Sequence, residues 1–329
     1  MAIQHFLSIA DLTPSDLMRL VQRSLAIKKG CFDDRLKGKT VGVYFKKTST
    51  RTRTAFTVGA LKLGATVVSY GPGDLQTNTG ETAEDTGRVL SSYLDAIVIR
   101  TADNIAEMRA LAQQDSMGVI NAMSEFEHPT QAIADLCTLA EHFGQLEGLH
   151  VLYLGEGNNT ATALALALGQ IPGMRLSLFT PEGYGLPSEF LQKAAEFCGR
   201  SGAIVEEFHD PDCLPSNVDV VYTTRWQTTG SSKPDPNWRV AFRPFSVTSD
   251  IMLRAGKRSR TIFMHDLPAV RGEDVKSEVL EGPQSVAFVQ AANKLYSAMA
   301  ILEMCVTPNL SISAANGAET LEFAQIHSR

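Results

Sequence analysis

No stretch of this chain strings together the 18 or so apolar residues that a helix needs to cross a bilayer, so no membrane span is expected. Basic residues are not in excess either: 30 lysines and arginines against 36 acidic residues leave a net charge of −6. That argues against nucleic acid or an anionic membrane as the main partner, although a local basic pocket for a small anion stays compatible with it. The opening residues Met1-Ala2-Ile3-Gln4-His5 lack a basic region followed by an apolar run, so no secretory signal is expected. Cysteines are few and scattered: Cys31, Cys137, Cys198, Cys213 and Cys305 are odd in number, and no two have the close spacing of a zinc or redox site. The expectation is a reducing, cytoplasmic setting with no metal and no cofactor. Internal repeats and low-complexity blocks are also missing.

What is present is an ordinary globular composition, 44% hydrophobic and 20% charged, in 329 residues, enough for two cores. Short β-branched runs at 40–45, 65–70, 96–100 and 119–123, then at 150–154, 175–180, 203–208, 218–223 and 261–265, alternate with amphipathic stretches. Near-continuous apolar strands alternating with helices predict parallel sheets covered on both faces, and hence an α/β fold of two doubly wound domains. The break is expected near 144–148, after the amphipathic run 130–142. The first domain then spans 1–145, the second 148–283, and a strong terminal helix at 284–305 packs back on the first domain. Beyond Pro308 the Ser-, Asn- and Ala-rich residues 308–329 read as a tail.

The sharpest segment is Lys46-Lys47-Thr48-Ser49-Thr50-Arg51-Thr52-Arg53, placed between a predicted strand and a helix with Phe56, Ala60 and Leu63 on its apolar face. A helix N-terminus offers free N–H groups and a positive dipole end, and arginines add bidentate bonds to phosphate oxygens. The structural alternative is a Ser/Thr helix cap beside solvated arginines. Arg100 closes another predicted strand, His128-Pro129-Thr130-Gln131 opens a helix, and His265-Asp266-Leu267-Pro268 ends the last strand. Ligands of open α/β sheets bind beyond the carboxyl ends of the strands, so polar groups after several strands suggest one cleft between the domains.

Ser49-Thr50-Arg51-Thr52-Arg53, Arg100, His128-Pro129-Thr130-Gln131 and His265-x-Leu267-Pro268 resemble the signature set of the aspartate/ornithine carbamoyltransferase family, in the family's order, over residues 5 to 305. The resemblance implies transfer of the carbamoyl group from carbamoyl phosphate to a small amino acid. Ser49, Thr50, Arg51, Thr52 and Arg53 would hold the phosphate. Arg100, His128 and Thr52 would face the carbonyl oxygen, and Gln131 would help to fix the carbamoyl amide. Backbone carbonyls of Asp266 and Leu267 would accept from its NH₂. The resemblance also implies a homotrimer with shared sites, Gln76 standing where the ornithine branch has a glutamine that enters a neighbouring subunit.

Elsewhere the chain departs from both branches. Gly155-Glu156-Gly157-Asn158-Asn159 resembles the ornithine branch, in which the second Asn contacts the amino acid. Thr224-Arg225-Trp226-Gln227-Thr228 lacks that branch's Asp and resembles the aspartate branch, where Arg and Gln bind the acceptor. Asp266 matches neither branch, and as a carboxylate it would hold an ammonium group, serve as a base, or stand as a solvated loop acid. Lys294 replaces an Arg that binds carbamoyl phosphate, keeping the charge without the fork. The expectation is that Arg225 takes a carboxylate and Asp266 an ammonium, from a diamino acid such as 2,3-diaminopropionate, with ornithine itself as the alternative. Two other classes are weighed. A nicotinamide-dependent dehydrogenase is suggested by Gly155-x-Gly157, but Thr160 stands in place of the third glycine and only Glu182 could serve the ribose. A catalytically silent regulator binding the same ligands is the other.

Overall fold

The computed structural model of the chain describes residues 5–228, 230, 232–257 and 260–307, with the backbone alone at Asn78. The tail expected at 308–329 lies outside the described residues. Strands β1 (Thr40–Phe45), β2 (Thr66–Tyr70), β3 (Ala96–Arg100) and β4 (Gly118–Met123) form one parallel sheet in the order β2-β1-β3-β4. β5 (His150–Leu154), β6 (Arg175–Phe179), β7 (Ile204–Phe208), β8 (Val220–Thr223) and β9 (Ile262–His265) form a second, ordered β7-β6-β5-β8-β9, also parallel throughout. The fold is therefore two doubly wound α/β domains, as the alternation of apolar runs implies. Central strands such as Ala96–Arg100 are buried along their whole length, because helices cover both faces. Edge strands β2 and β7 are partly exposed, whereas the opposite edges β4 and β9, both packed against by the last helix, are buried throughout.

Helices α1 (Pro14–Lys28), α2 (Arg51–Lys62), α3 (Ala83–Leu90), α4 (Ala106–Leu111) and α5 (Pro129–Phe143) accompany the first sheet. α6 (Asn159–Leu168), α7 (Ser188–Ser201), α8 (Trp238–Phe242), α9 (Ser249–Ala255) and α10 (Ser277–Leu280) accompany the second. The last helix, α11 (Ala287–Val306), packs back against α1, α2 and α5. It begins later than its hydrophobic pattern suggests because residues 284–286 run beside β9: Phe263 donates to the Gln284 carbonyl and Val286 donates to that of Phe263. Arg23 and Glu303, both nearly buried, pair at 2.6 Å and fasten α1 to α11. One apolar core runs from Val43 and Val98 through Leu136 and Leu164 to Tyr222 and Met264, so the two sheets share an interior.

Strand order positions the site. From β1 the first sheet grows outward to β2 and then reverses through β3 to β4, leaving a switch point between β1 and β3. The second sheet has its switch point between β5 and β8. At such points the loops after neighbouring strands diverge and open a crevice at the carboxyl ends.

Candidate active site

The loops from both switch points line one cavity of about 410 Å³, built from Thr48 to Thr52 after β1, Arg100 at the end of β3, Met123 and His128 after β4, and Asn158 to Thr160 after β5. Thr224, Arg225, Gln227 and Thr228 after β8, Asp266 to Pro268 after β9, and Lys294 from α11 complete it. Thr50 precedes α2 without giving the helix a side-chain cap, so the first-turn N–H groups at this end are not closed off by a Ser/Thr cap. The helix-cap alternative is therefore not what the chain adopts.

Arg51, Arg100, Arg225 and Lys294 face a single carboxylate, Asp266, among the cavity's lining residues. In a chain of net charge −6 this is a concentrated anion-binding lining. Burial draws the Arg100 guanidinium down to about 10, with Arg51 adding to the effect and Asp266 opposing it, and it remains charged at neutral pH. The Nε atoms of Arg51 and Arg100 are buried with no hydrogen-bond partner among the described residues. Burial also holds the Lys294 ammonium well below its ordinary value. His128 is pushed well below 6.5 by burial and by the charges of Lys294, Arg100 and Arg51, so it is neutral. Its Nε2 lies 3.4 Å from Arg100 Nη1, which can only donate, so its Nδ1–H is the donor to Thr130 Oγ1 at 3.2 Å.

Asp266 is fixed by two hydroxyls, Thr224 Oγ1 donating to Oδ1 at 2.8 Å and Thr160 Oγ1 to Oδ2 at 2.9 Å. The next residue, Leu267, has φ 57°, a left-handed conformation that a leucine rarely adopts. Its N–H donates to His265 Nδ1 at 2.8 Å, which holds the turn, and His265 N–H in turn donates to Gln290 Oε1. Asn159 joins the domains: its Nδ2 donates to the Ser124 carbonyl at 2.9 Å and its own carbonyl accepts from His128 N–H at 3.0 Å. Arg225 lines the cavity with no hydrogen bond or ion pair to a described residue.

Three residues singled out by sequence stand outside this lining. Arg53 is exposed, donates to the Phe45 carbonyl at 3.3 Å and lies over the Phe45 ring, because two positions on a helix turn away from Arg51. Gln76 sits on an exposed 3-10 turn, where its Oε1 accepts from Thr79 Oγ1. Gln131 lies behind the wall, its Nε2 donating to Asp135 Oδ1 at 2.7 Å and its Oε1 buried without a described partner. Sequence reasoning missed the buried cluster that holds it: Asp135 also accepts from Gln290 and from Tyr222 Oη, at 2.7 and 3.0 Å. The one local signal was Asp135 four residues after Gln131, on the same helix face. Met123 and Thr160 were likewise not anticipated as lining, while Thr48, Asn158 and Pro268 line it from within the singled-out motifs without having been given a role of their own.

With this geometry in place, comparison with known proteins is specific. Residues 4–141 match the profile of the aspartate/ornithine carbamoyltransferase carbamoyl-P binding domain, and 147–305 that of the same family's Asp/Orn binding domain. The chain belongs to the aspartate/ornithine carbamoyltransferase family. It is a carbamoyltransferase. Its relatives include an ornithine carbamoyltransferase of Acidothermus cellulolyticus, 40% identical over 302 residues, covering 91% of this chain and 96% of that one. One from Bacillus thuringiensis subsp. konkukian is 36% identical over 299 residues, 91% of this chain and 93% of its own. The solved ornithine carbamoyltransferase from Pyrococcus furiosus is 36% identical and superposes with a TM-score of 0.87, covering 94% of this chain and 99% of that one. Membership removes the dehydrogenase reading, and the glycines that suggested it have a local purpose. Gly155 has φ +126°, and a Cβ on Gly157 would lie 2.4 Å from the backbone of Gly185 and Leu186. Among the described residues no helix of this carbamoyltransferase is long and apolar enough to cross a membrane.

Proposed function

We propose that the cleft transfers the carbamoyl group of carbamoyl phosphate to the side-chain amine of a small diamino acid. The observation that carries the reading is the set of four basic side chains facing one carboxylate in a family whose matched domain is described as carbamoyl-P binding. Ser49, Thr50, Arg51 and Thr52 bind the phosphate with the open end of α2, supported by Lys294. Arg100, Thr52 and neutral His128 surround the carbonyl oxygen. The neutral amine attacks the carbonyl carbon, an oxyanion forms and collapses, the bond from that carbon to the bridging oxygen breaks, and the departing phosphate takes the amine's proton. Preorganised donors at that oxygen are the main catalytic term, with the alignment of both reactants adding to it.

Ornithine is the acceptor that the relatives' names support, which would make the product citrulline. One observation favours a diamino acid shaped differently from ornithine, with 2,3-diaminopropionate as the candidate: the cleft's carboxylate is Asp266, which Thr224 touches, and Arg225 lines the cavity opposite in charge to an acceptor carboxylate. We further propose that copies associate as a trimer in which Gln76 enters a neighbour's cleft. A ureido-product assay with ornithine, lysine, 2,4-diaminobutyrate, 2,3-diaminopropionate, aspartate and putrescine tests the acceptor. Ornithine as best substrate fixes the first reading. Preference for 2,3-diaminopropionate, moved towards ornithine by Asp266→Cys with Thr224→Asp, fixes the second.

A further inference from the structure

The segment after β8 carries Thr224, Arg225, Gln227 and Thr228 to the cavity and then runs on to α8. On the way, Lys233 turns its side chain inward until only 4% of it is exposed. Its ammonium lies 5.0 Å from the ring centre of Tyr184, 5.2 Å from that of Trp238 and 5.0 Å from that of Phe242. A cation held over aromatic faces is attracted by their negative quadrupole, most strongly when it is desolvated. The fourth partner is a carboxylate: Lys233 pairs with Glu156, which follows β5. The other oxygen of Glu156 accepts from Thr228 Oγ1 at 3.4 Å. Trp226 closes the box against Phe242, with ring centres 5.5 Å apart.

The far side of the same segment touches the first domain. Gly230 has φ +91°, and a Cβ there would lie 3.0 Å from Ala102 Cβ and 3.2 Å from Lys47 Cδ. The residues facing the acceptor thus lie on a segment that rests on one domain at Gly230 and is fastened to the other at Lys233.

We propose that Lys233 is a positioning residue of the acceptor half-site: its pairing with Glu156 inside the aromatic box fixes where Arg225, Gln227 and Thr228 meet the amino acid, and leaves the carbamoyl phosphate half-site alone. This rests on the carbamoyl-transfer reading above. Without the ammonium, Glu156 loses its ion pair in a largely buried place and the segment loses its fastening. An ion pair serving only stability would lower turnover, substrate affinities and melting temperature without distinction between the two substrates.

The test uses the full chain and the best amine of the acceptor panel, comparing Lys233→Met, Lys233→Arg and Glu156→Gln with the parent. Lys233→Met is expected to raise the acceptor KM about tenfold or more while the KM for carbamoyl phosphate stays within about twofold. Lys233→Arg keeps a cation over the rings and recovers most of the loss. An unchanged acceptor KM, equal losses for both substrates, or equal damage from Met and Arg overturns the proposal. Should Lys233→Met not fold, Glu156→Gln, which preserves volume, tests the same link by the same KM ratio. The chain's two tryptophans, Trp226 and Trp238, both belong to the box, so their emission reports on it without turnover. If the parent forms no ureido product with any amine, the functional reading fails by itself. Lys233→Met must then still red-shift the tryptophan emission and increase acrylamide quenching, and unchanged fluorescence overturns the fastening role.

Discussion

Arg100 remains charged despite burial because a pKa near 10 is still far above neutrality, so its guanidinium can stabilise an oxyanion throughout the physiological range. Replacing one such preorganised donor typically lowers turnover about 10²- to 10³-fold, and Arg100→Ala is expected to do so in a steady-state kcat measurement. Glu127 stands beside His128 but outside the cavity lining, and its carboxylate accepts from Ile9 N–H at 2.7 Å. Burial pushes its carboxyl from 4.5 up to about 7, with Ser8 and Ile9 as hydrogen-bond partners opposing the rise. A raised acid holds its proton in the folded chain over a range where the unfolded chain has released it. Its contribution is therefore fully present below pH 4.5 and lost as the pH rises to about 7, on the order of 3 kcal/mol in all. Melting temperatures of Glu127→Gln and the parent should diverge across that window, the parent falling more steeply. Parallel curves would contradict the assignment.

Elements meet here at points with little room. Gly157 lets the β5–α6 turn lie against Gly185 and Leu186, with its N–H donating to the Tyr184 carbonyl at 2.8 Å. The atoms in the way are backbone and cannot rotate aside, so Gly157→Ala should cost about 1–3 kcal/mol or more, read from denaturant unfolding. The acceptor KM should rise with it, because Asn158 and Asn159 sit on the displaced turn. The Arg23–Glu303 pair between α1 and α11 is nearly dry, and Glu303→Ala strands a buried guanidinium. A loss of about 3–5 kcal/mol is expected on unfolding, with turnover at low temperature little changed.

At the scale of the whole molecule, what was legible in sequence was what local pattern encodes. Every strand was found at its run: the seven buried ones because parallel strands covered on both faces carry little polar interruption, and the partly exposed β2 and β7 by their β-branched and aromatic residues. Ser49, Arg51, Arg100, His128, Asn159 and Asp266 reach one cavity because each stands at or just beyond the carboxyl end of a strand, and Lys294 joins them from α11. What was not legible depends on distance along the chain. The Asp135–Gln290 bond joins residues 155 positions apart, and no local period announces it. Thr160 was weighed only as a missing glycine, yet it is one of the two hydroxyls that hold Asp266. Arg53 was grouped with its neighbours by motif, and the helical period turned it away. One cleft, assembled from both domains, is thus the place where carbamoyl transfer is expected to occur. The most direct measurement is the yield of ureido product and of free phosphate from carbamoyl phosphate and the amine panel, followed together in the parent and in Arg100→Ala. The two products should appear in equal amounts in the parent, and both should be lost in the variant. Phosphate release without a ureido product, or an unchanged yield in Arg100→Ala, would contradict it.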